Sequence, residues 1–289
     1  MVVRQEIQEL LEEEDNIISF GQQIKAFEKW LIRMNLSEKT ATVYMGGVKQ
    51  FYNRYKVISK ANLLVYKQWL IENYMPKTVN LRINSINKYL VFCNRKALKL
   101  TTVKIQNKPF IDNVIEYEDY VYFIKQLKKD GDTDTYMIVK FLACTGARVS
   151  ELIKFKVEHV YKGYVDMYSK GNKFRRIYIP KRLQTEAIKW IEDNHIEGLL
   201  FKNKNGLTIG TSGVSYKLKN AARRYKRLDI NCIYPHSFRH LFAKCFLQKK
   251  YDLLLLCDLM GHSSVELAKL YARMSGREQQ NLINEIVDW

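Results

Sequence analysis

Apolar residues recur at steps of three and four through the first hundred positions of the chain. Phe20, Ile24, Phe27, Leu31 and Met34 form one such stripe, the pattern of a helix that buries a single face. Ser37 is placed to cap a second helix, whose stripe is Ala41, Tyr44, Val48, Phe51 and Tyr55. A shorter helix is predicted around Leu63 to Tyr74. After Pro76 a fourth buries Val79, Ile83, Ile86, Leu90 and Cys93 and turns Lys77, Arg82, Lys88, Arg95 and Lys96 outward. Residues 16–104 therefore read as a helical unit with basic outer faces. Periodicity fades from Leu100 to Asn113, where lysines and Pro109 mark residues 105–113 as a linker.

A second unit, residues 114–289, opens with helical patterns around 117–128 and 134–144. Between Val157 and Pro180 the period shifts towards two. Tyr164 to Ser169 and Phe174 to Ile179 flank the turn Lys170-Gly171-Asn172-Lys173, which is hairpin chemistry. From Leu183 helices return and continue to a short terminal segment, Arg277 to Trp289. The expected fold class is mainly α, with a helical first domain and a mixed α+β second domain holding one small antiparallel sheet.

Composition changes this picture chiefly through charge. The 289 residues include 48 Lys and Arg against 30 Asp and Glu, a net charge of +18. Residues 1–15 form an acidic segment with one basic and six acidic side chains, which leaves 47 basic and 24 acidic residues in the rest. A field that strong suits a polyanion such as nucleic acid. No run approaches the roughly 18–20 apolar residues of a membrane span, and the N-terminus lacks the basic and apolar regions of a secretion signal. The five cysteines are scattered and form no C-x-x-C, which argues against a disulfide framework and a zinc ribbon, so reduced, mostly buried thiols in a cytoplasmic protein are expected.

Several local patterns can carry chemistry. Lys217, Lys219, Arg223, Arg224, Lys226 and Arg227 crowd a predicted helix, with Ala221 and Ala222 small enough for close approach to phosphates. Lys173, Arg175, Arg82 and Lys88 are further DNA-contact candidates. His236 and Arg239, three apart in Pro-His-Ser-Phe-Arg-His240, share a helix face on which they can grip one phosphate. In Cys144-Thr-Gly-Ala-Arg-Val-Ser-Glu151, Gly146 suits a helix end, Ser150 can cap the next helix, and Arg148 projects from the break. In Leu259-Met-Gly-His262-Ser-Ser-Val-Glu266, Gly261 ends one helix, Ser263 and Glu266 match a capping box, and Tyr271 follows two turns into the new helix. Each feature alone also fits ordinary packing or a solvated surface.

Taken in order, T-G-x-R-x-S-E-L, a hairpin lysine, H-x-x-R-H, then G-H followed nine residues later by Tyr, the chain resembles the tyrosine recombinase (phage integrase) family over nearly its whole length. The resemblance implies a core-binding domain, a linker and a catalytic domain, and fills the family's active-site set with Arg148, Lys170, His236, Arg239, His262 and Tyr271. It implies cleavage and rejoining of DNA strands through a 3′-phosphotyrosyl bond and a Holliday junction, with no metal, nucleotide or other cofactor. Tyr271 is then the nucleophile, His236 its base, Lys170 the acid with Lys173 its local competitor, and Arg148, Arg239 and His262 the phosphate ligands. Ser150, Glu151 and His240 become supporting or packing residues.

The expected partner is double-stranded DNA with inverted-repeat core sites, bound by a homotetramer on two sites, with a related recombinase or accessory protein as a further partner and no membrane. With only the acidic segment ahead of the first helix, the simpler Xer-like and small mobile-element recombinases are the nearer likeness, and no arm-binding domain is expected. Leu282, Ile283, Ile286, Val287 and Trp289 offer an apolar patch that packs either in cis or on a neighbouring subunit. A type IB topoisomerase-like enzyme and a catalytically silent DNA-binding regulator of the same fold are the alternatives.

Overall fold

The computed structural model describes residues 20–105, 113–169, 173–250, 252–261 and 283. The chain divides into two compact units, Met1–Asn107 and Lys108–Trp289. Both are mainly helical, and the described strands form one two-stranded antiparallel sheet.

In the first unit α1 (20–33), α2 (Glu38–Arg54), α3 (Lys60–Asn73) and α4 (Pro76–Phe92) surround one core. Phe27, Leu31, Val48, Phe51, Leu63, Tyr66, Leu70, Ile83 and Leu90 are all fully buried there, so the stripes face inward as their spacing requires, except at Met34, which lies past the end of α1 and is exposed. The Ser37 and Ser59 hydroxyls accept the Thr40 and Asn62 backbone N–H groups, satisfying orphan donors at the starts of α2 and α3. The stretch after α4 is more tightly held than its weak periodicity suggests. The Asn87 amide exchanges two 2.8 Å hydrogen bonds with the Leu100 backbone, and Asn80 does the same with Val103 at 2.8 and 2.9 Å. Leu100 is buried and Val103 packs on the core, so residues up to about 103 belong to the first unit. Most of the expected linker, residues 106–112, lies outside the described residues, as does the acidic segment 1–15.

In the second unit α6 (Thr133–Thr145) is the central helix, buried nearly all round through Met137, Ile138, Val139, Phe141 and Leu142. Packed about it are α5 (Tyr117–Lys129), the short α7 (Val149–Leu152), α9 (Lys181–Asp193), α10 (Thr211–Ala222) and α11 (Pro235–Lys249), with α8 (Val157–Lys162) joined through α9 and α12 (Leu253–Met260) through α11. Strands β1 (Tyr164–Ser169) and β2 (Lys173–Tyr178) form the predicted hairpin, pairing Tyr164 with Tyr178 and Ser169 with Lys173. The period of two puts Val165, Met167, Ile177 and Arg175 on the inward face, with Tyr168, Phe174 and Tyr178 exposed on the other.

Several expectations need correction. The basic run is not one helix, because α10 ends at Ala222 and Arg223 to Arg227 lie beyond it. Its end follows from tertiary pairing: Tyr225 turns inward and donates its hydroxyl to Asp130 at 2.7 Å, and Arg224 pairs with Asp132 at 2.6 Å. Ser150 does not cap α7. Arg148 occupies that position, and its backbone N–H is accepted by the Glu151 carboxylate at 2.7 Å. Arg175 is no surface cation, being only 5% exposed. All five thiols are free, but against the expectation of mostly buried thiols only Cys257 is buried and the other four are half-buried. Among the described residues no helix is long and apolar enough to cross a membrane.

Candidate active site

The turn after α6 is the first part of the site. Gly146 ends α6 in the left-handed conformation, φ +61°, and a Cβ there would lie 2.5 Å from the Phe242 ring. The chain then leaves extended through Arg148 into α7, so Arg148 projects from the break. Its Nη1 donates to Glu151 Oε1 at 2.9 Å and its Nη2 to the Gly261 carbonyl at 3.2 Å. Both a left-handed backbone and a steric conflict oppose a side chain at 146. Gly146→Ala is therefore expected to destabilise the protein by on the order of 3 kcal/mol, read as a lowered urea midpoint at unchanged slope.

Helix α11 supplies the second part. Pro235 pre-sets its first turn, and three residues separate His236 from Arg239 on it. Arg239 is 1% exposed, and its guanidinium donates to the Gly146 and Met260 carbonyls. His236 lies at the solvent edge. Partial burial lowers its pKa first, and the nearby Arg239 and Arg148 cations lower it further, all of which favour the uncharged imidazole. His240 is pushed down to about 4 by burial and then by His236 and Arg239.

The end of α12 closes the arrangement. Gly261 caps it with φ +60°, and the successive carbonyls of Leu259, Met260 and Gly261 accept from Arg175, Arg239 and Arg148 in that order. Arg148 and Arg239, 91 positions apart in sequence, thus meet at adjacent carbonyls directly before His262. Beside them a cleft of about 1020 Å³ is lined by Arg148, Glu151, Met167, Phe174, Leu259 and Gly261, among others. Burial alone would raise the Glu151 carboxyl, but Arg175 and Arg148 hold it below the usual carboxylate range. Lys170, His262, Tyr271, the Ser263–Glu266 capping box, the Lys173 side chain and Leu282, Ile286, Val287 and Trp289 lie outside the described residues, whereas Ile283 is helical and exposed.

The DNA-contact candidates separate into two kinds. Lys217 pairs with Asp134 at 3.0 Å, Arg224 with Asp132, and Arg227 with Asp119 at 3.3 Å, which ties these cations to the acidic ends of α5 and α6. Lys219, Arg223 and Lys226 are exposed and form no ion pair among the described residues. In the first unit Arg82 and Lys88 are half-buried.

Residues 113–278 match the family model described as the phage integrase family. The chain belongs to the phage integrase family. A tyrosine recombinase of Agathobacter rectalis is 25% identical over 285 residues, covering 89% of this chain and 92% of that protein. Tyrosine recombinase XerA of Pyrococcus furiosus is 26% identical over 280 residues, covering 91% and 96%. In fold, the chain is similar to a lambda integrase dimer bound to a COC′ core site, with a TM-score of 0.69 at 17% identity over 89% of this chain and 96% of that one. The family membership supports the sequence reading of a site-specific tyrosine recombinase, and the mainly α architecture with one small antiparallel sheet agrees with it.

Proposed function

We propose that this phage integrase family member is a catalytically active, site-specific recombinase that cleaves and rejoins DNA with its own Tyr271 as nucleophile. The observation that supports it most is the meeting of Arg148 and Arg239, from two distant segments, at adjacent carbonyls of the chain end that leads to His262, with His236 one helical turn from Arg239. Two fixed guanidiniums suit the non-bridging oxygens of a phosphodiester, whose charge grows in the pentacoordinate transition state. Inside the protein their positive field opposes protonation of the imidazole, which keeps His236 available as a base.

In the proposed reaction the Tyr271 phenolic oxygen attacks phosphorus and its proton passes to His236. A 3′-phosphotyrosyl bond forms as the bond to the 5′-oxygen breaks, and Lys170 protonates that leaving oxygen. A phenol with a reference pKa near 10 needs such a base at neutral pH. The phosphodiester energy is kept in the covalent link, so a second 5′-hydroxyl rejoins the strands without metal or nucleotide, and Arg148, Arg239 and His262 hold the phosphate throughout. A homotetramer on two inverted-repeat sites, formed in the cytoplasm and joined where needed by a related recombinase or accessory protein, completes the reading. Lys219, Arg223 and Lys226 are the cations of the basic run best placed to meet the DNA backbone.

The test is to incubate the protein with nicked host DNA fragments in chelator and isolate SDS-resistant adducts. A metal-independent adduct enriched in one inverted repeat, with its peptide containing Tyr271, is the expected result. Tight binding with no adduct would favour the silent regulator, and plasmid relaxation without joint products would favour a topoisomerase-like enzyme. Lys170→Ala is expected to slow cleavage by about 10² to 10³, and a 5′-bridging sulfur, which leaves without a proton, should restore it. Failure of that rescue would move the acid to Lys173.

A further inference from the structure

The inward face of the hairpin carries an unexpected group. Arg175 stands on β2 opposite Met167 and two positions from Ile177, on a face that otherwise buries Val165 and Ile177. Burying a cation is costly, and an apolar side chain of similar volume generally stabilises such a position as well or better. What the guanidinium does here, and an apolar chain could not, is hydrogen-bond three separate segments. Its Nη1 donates to Glu151 Oε2 at 2.6 Å, its Nη2 to the Gly146 carbonyl at 3.3 Å, and its Nε to the Leu259 carbonyl at 2.9 Å.

Each of these acceptors borders the phosphate-binding pair. Glu151 holds Arg148 by both backbone N–H and side chain, Gly146 is shared with Arg239, and Leu259 begins the carbonyl series that Arg239 and Arg148 complete. The fit at Gly261 is equally close, since a Cβ there would lie 2.6 Å from Arg175 Cδ. Arg175 therefore links the strand that follows Lys170 to both arginines of the site.

We infer that Arg175 is a positioning residue that holds Arg148 through Glu151 and pins the end of α12, so that the phosphate-binding groups are set before DNA arrives. The inference rests on the recombinase reading above for its catalytic consequence, and on the hydrogen-bond geometry for the anchoring itself. Nothing in it requires Arg175 to touch DNA.

The test compares wild type, Arg175→Met, Arg175→Lys, Glu151→Gln and the double variant Arg175→Met/Glu151→Gln. Single-turnover adduct formation on a nicked substrate is measured together with DNA affinity. Arg175→Met, which matches its cross-strand neighbour and keeps the face packed, is expected to slow adduct formation by about 10² with affinity nearly unchanged. Arg175→Lys should fall between, because an ammonium reaches Glu151 but cannot form the fork. In the Glu151→Gln background the Met substitution should cost less than about threefold more, since both act along one chain of contacts.

Hydrogen exchange of the DNA-free protein supplies the second readout. Peptides covering 144–153 and 253–261 should exchange faster in Arg175→Met while the rest of the unit is unchanged. Wild-type cleavage rates in Arg175→Met, losses that multiply in the double variant, or faster exchange across the whole unit would each overturn the inference. If wild type forms no adduct, the recombinase reading fails, and the exchange pattern alone decides whether Arg175 anchors the site.

Discussion

Replacing Tyr271 by Phe is expected to remove covalent adduct formation completely while leaving the affinity for DNA within about fivefold of wild type. The asymmetry follows from what a hydroxyl does in each process. In binding, one neutral hydrogen bond contributes about 1 kcal/mol net, so its loss is a small change against the many phosphate contacts that a chain of net charge +18 can make. In the proposed cleavage the same oxygen is the atom that bonds to phosphorus, and benzene carbon cannot replace it. Gel shift and SDS-resistant adduct assays on one substrate separate the two. A residual adduct in Tyr271→Phe would identify another of the 19 tyrosines as the nucleophile, and an equal loss of binding would mean that the substitution acts through folding. Because salt weakens phosphate contacts steeply, both proteins must be compared at one ionic strength.

The elements that frame the site were legible where local rules suffice. Apolar stripes marked α1, α2 and α4, Ser37 announced its own cap, and a Gly-Asn turn between aromatic and β-branched runs announced the hairpin. Gly146 and Gly261 were readable as helix ends because each sits where an apolar pattern stops. Arg148, His236 and Arg239 could be nominated from motif order, although no spacing in the sequence shows that residues 91 positions apart donate to neighbouring carbonyls. Arg175 shows the opposite error. Its parity with Ile177 already pointed inward, but its charge and the basic neighbourhood suggested surface, and the partner that makes burial tolerable, Glu151, lies 24 residues earlier on a different element. Asn80 and Asn87 escaped notice for a related reason: an amide on a helix is informative only once the segment it clasps is known. The end of α10 depends likewise on Asp130 and Asp132, which no helical periodicity encodes.

The buried guanidinium of Arg239 gives the second large effect, because its geometry and its charge can be separated by substitution. Arg239→Lys keeps a cation near His236 but loses the planar fork that spans the Gly146 and Met260 carbonyls. Cleavage is expected to fall by about 10² to 10³, the scale of losing one preorganised donor to a developing oxyanion. Its pH profile should stay where it is, because the positive charge that lowers the His236 pKa is retained. Arg239→Met removes both. With one of the two cations gone, the His236 pKa rises, and a base that must be neutral to act is then protonated at higher pH. The acidic limb of the cleavage profile should therefore move upward in Arg239→Met and not in Arg239→Lys, on top of a rate loss in both. Equal limbs in the two variants would detach His236 from the proton transfer, and wild-type rates in Arg239→Lys would show that charge alone, without the fork, is what the phosphate requires. A stability cost in the Met variant, expected from carbonyls losing a buried donor, is controlled by measuring each profile well below that variant's own unfolding temperature.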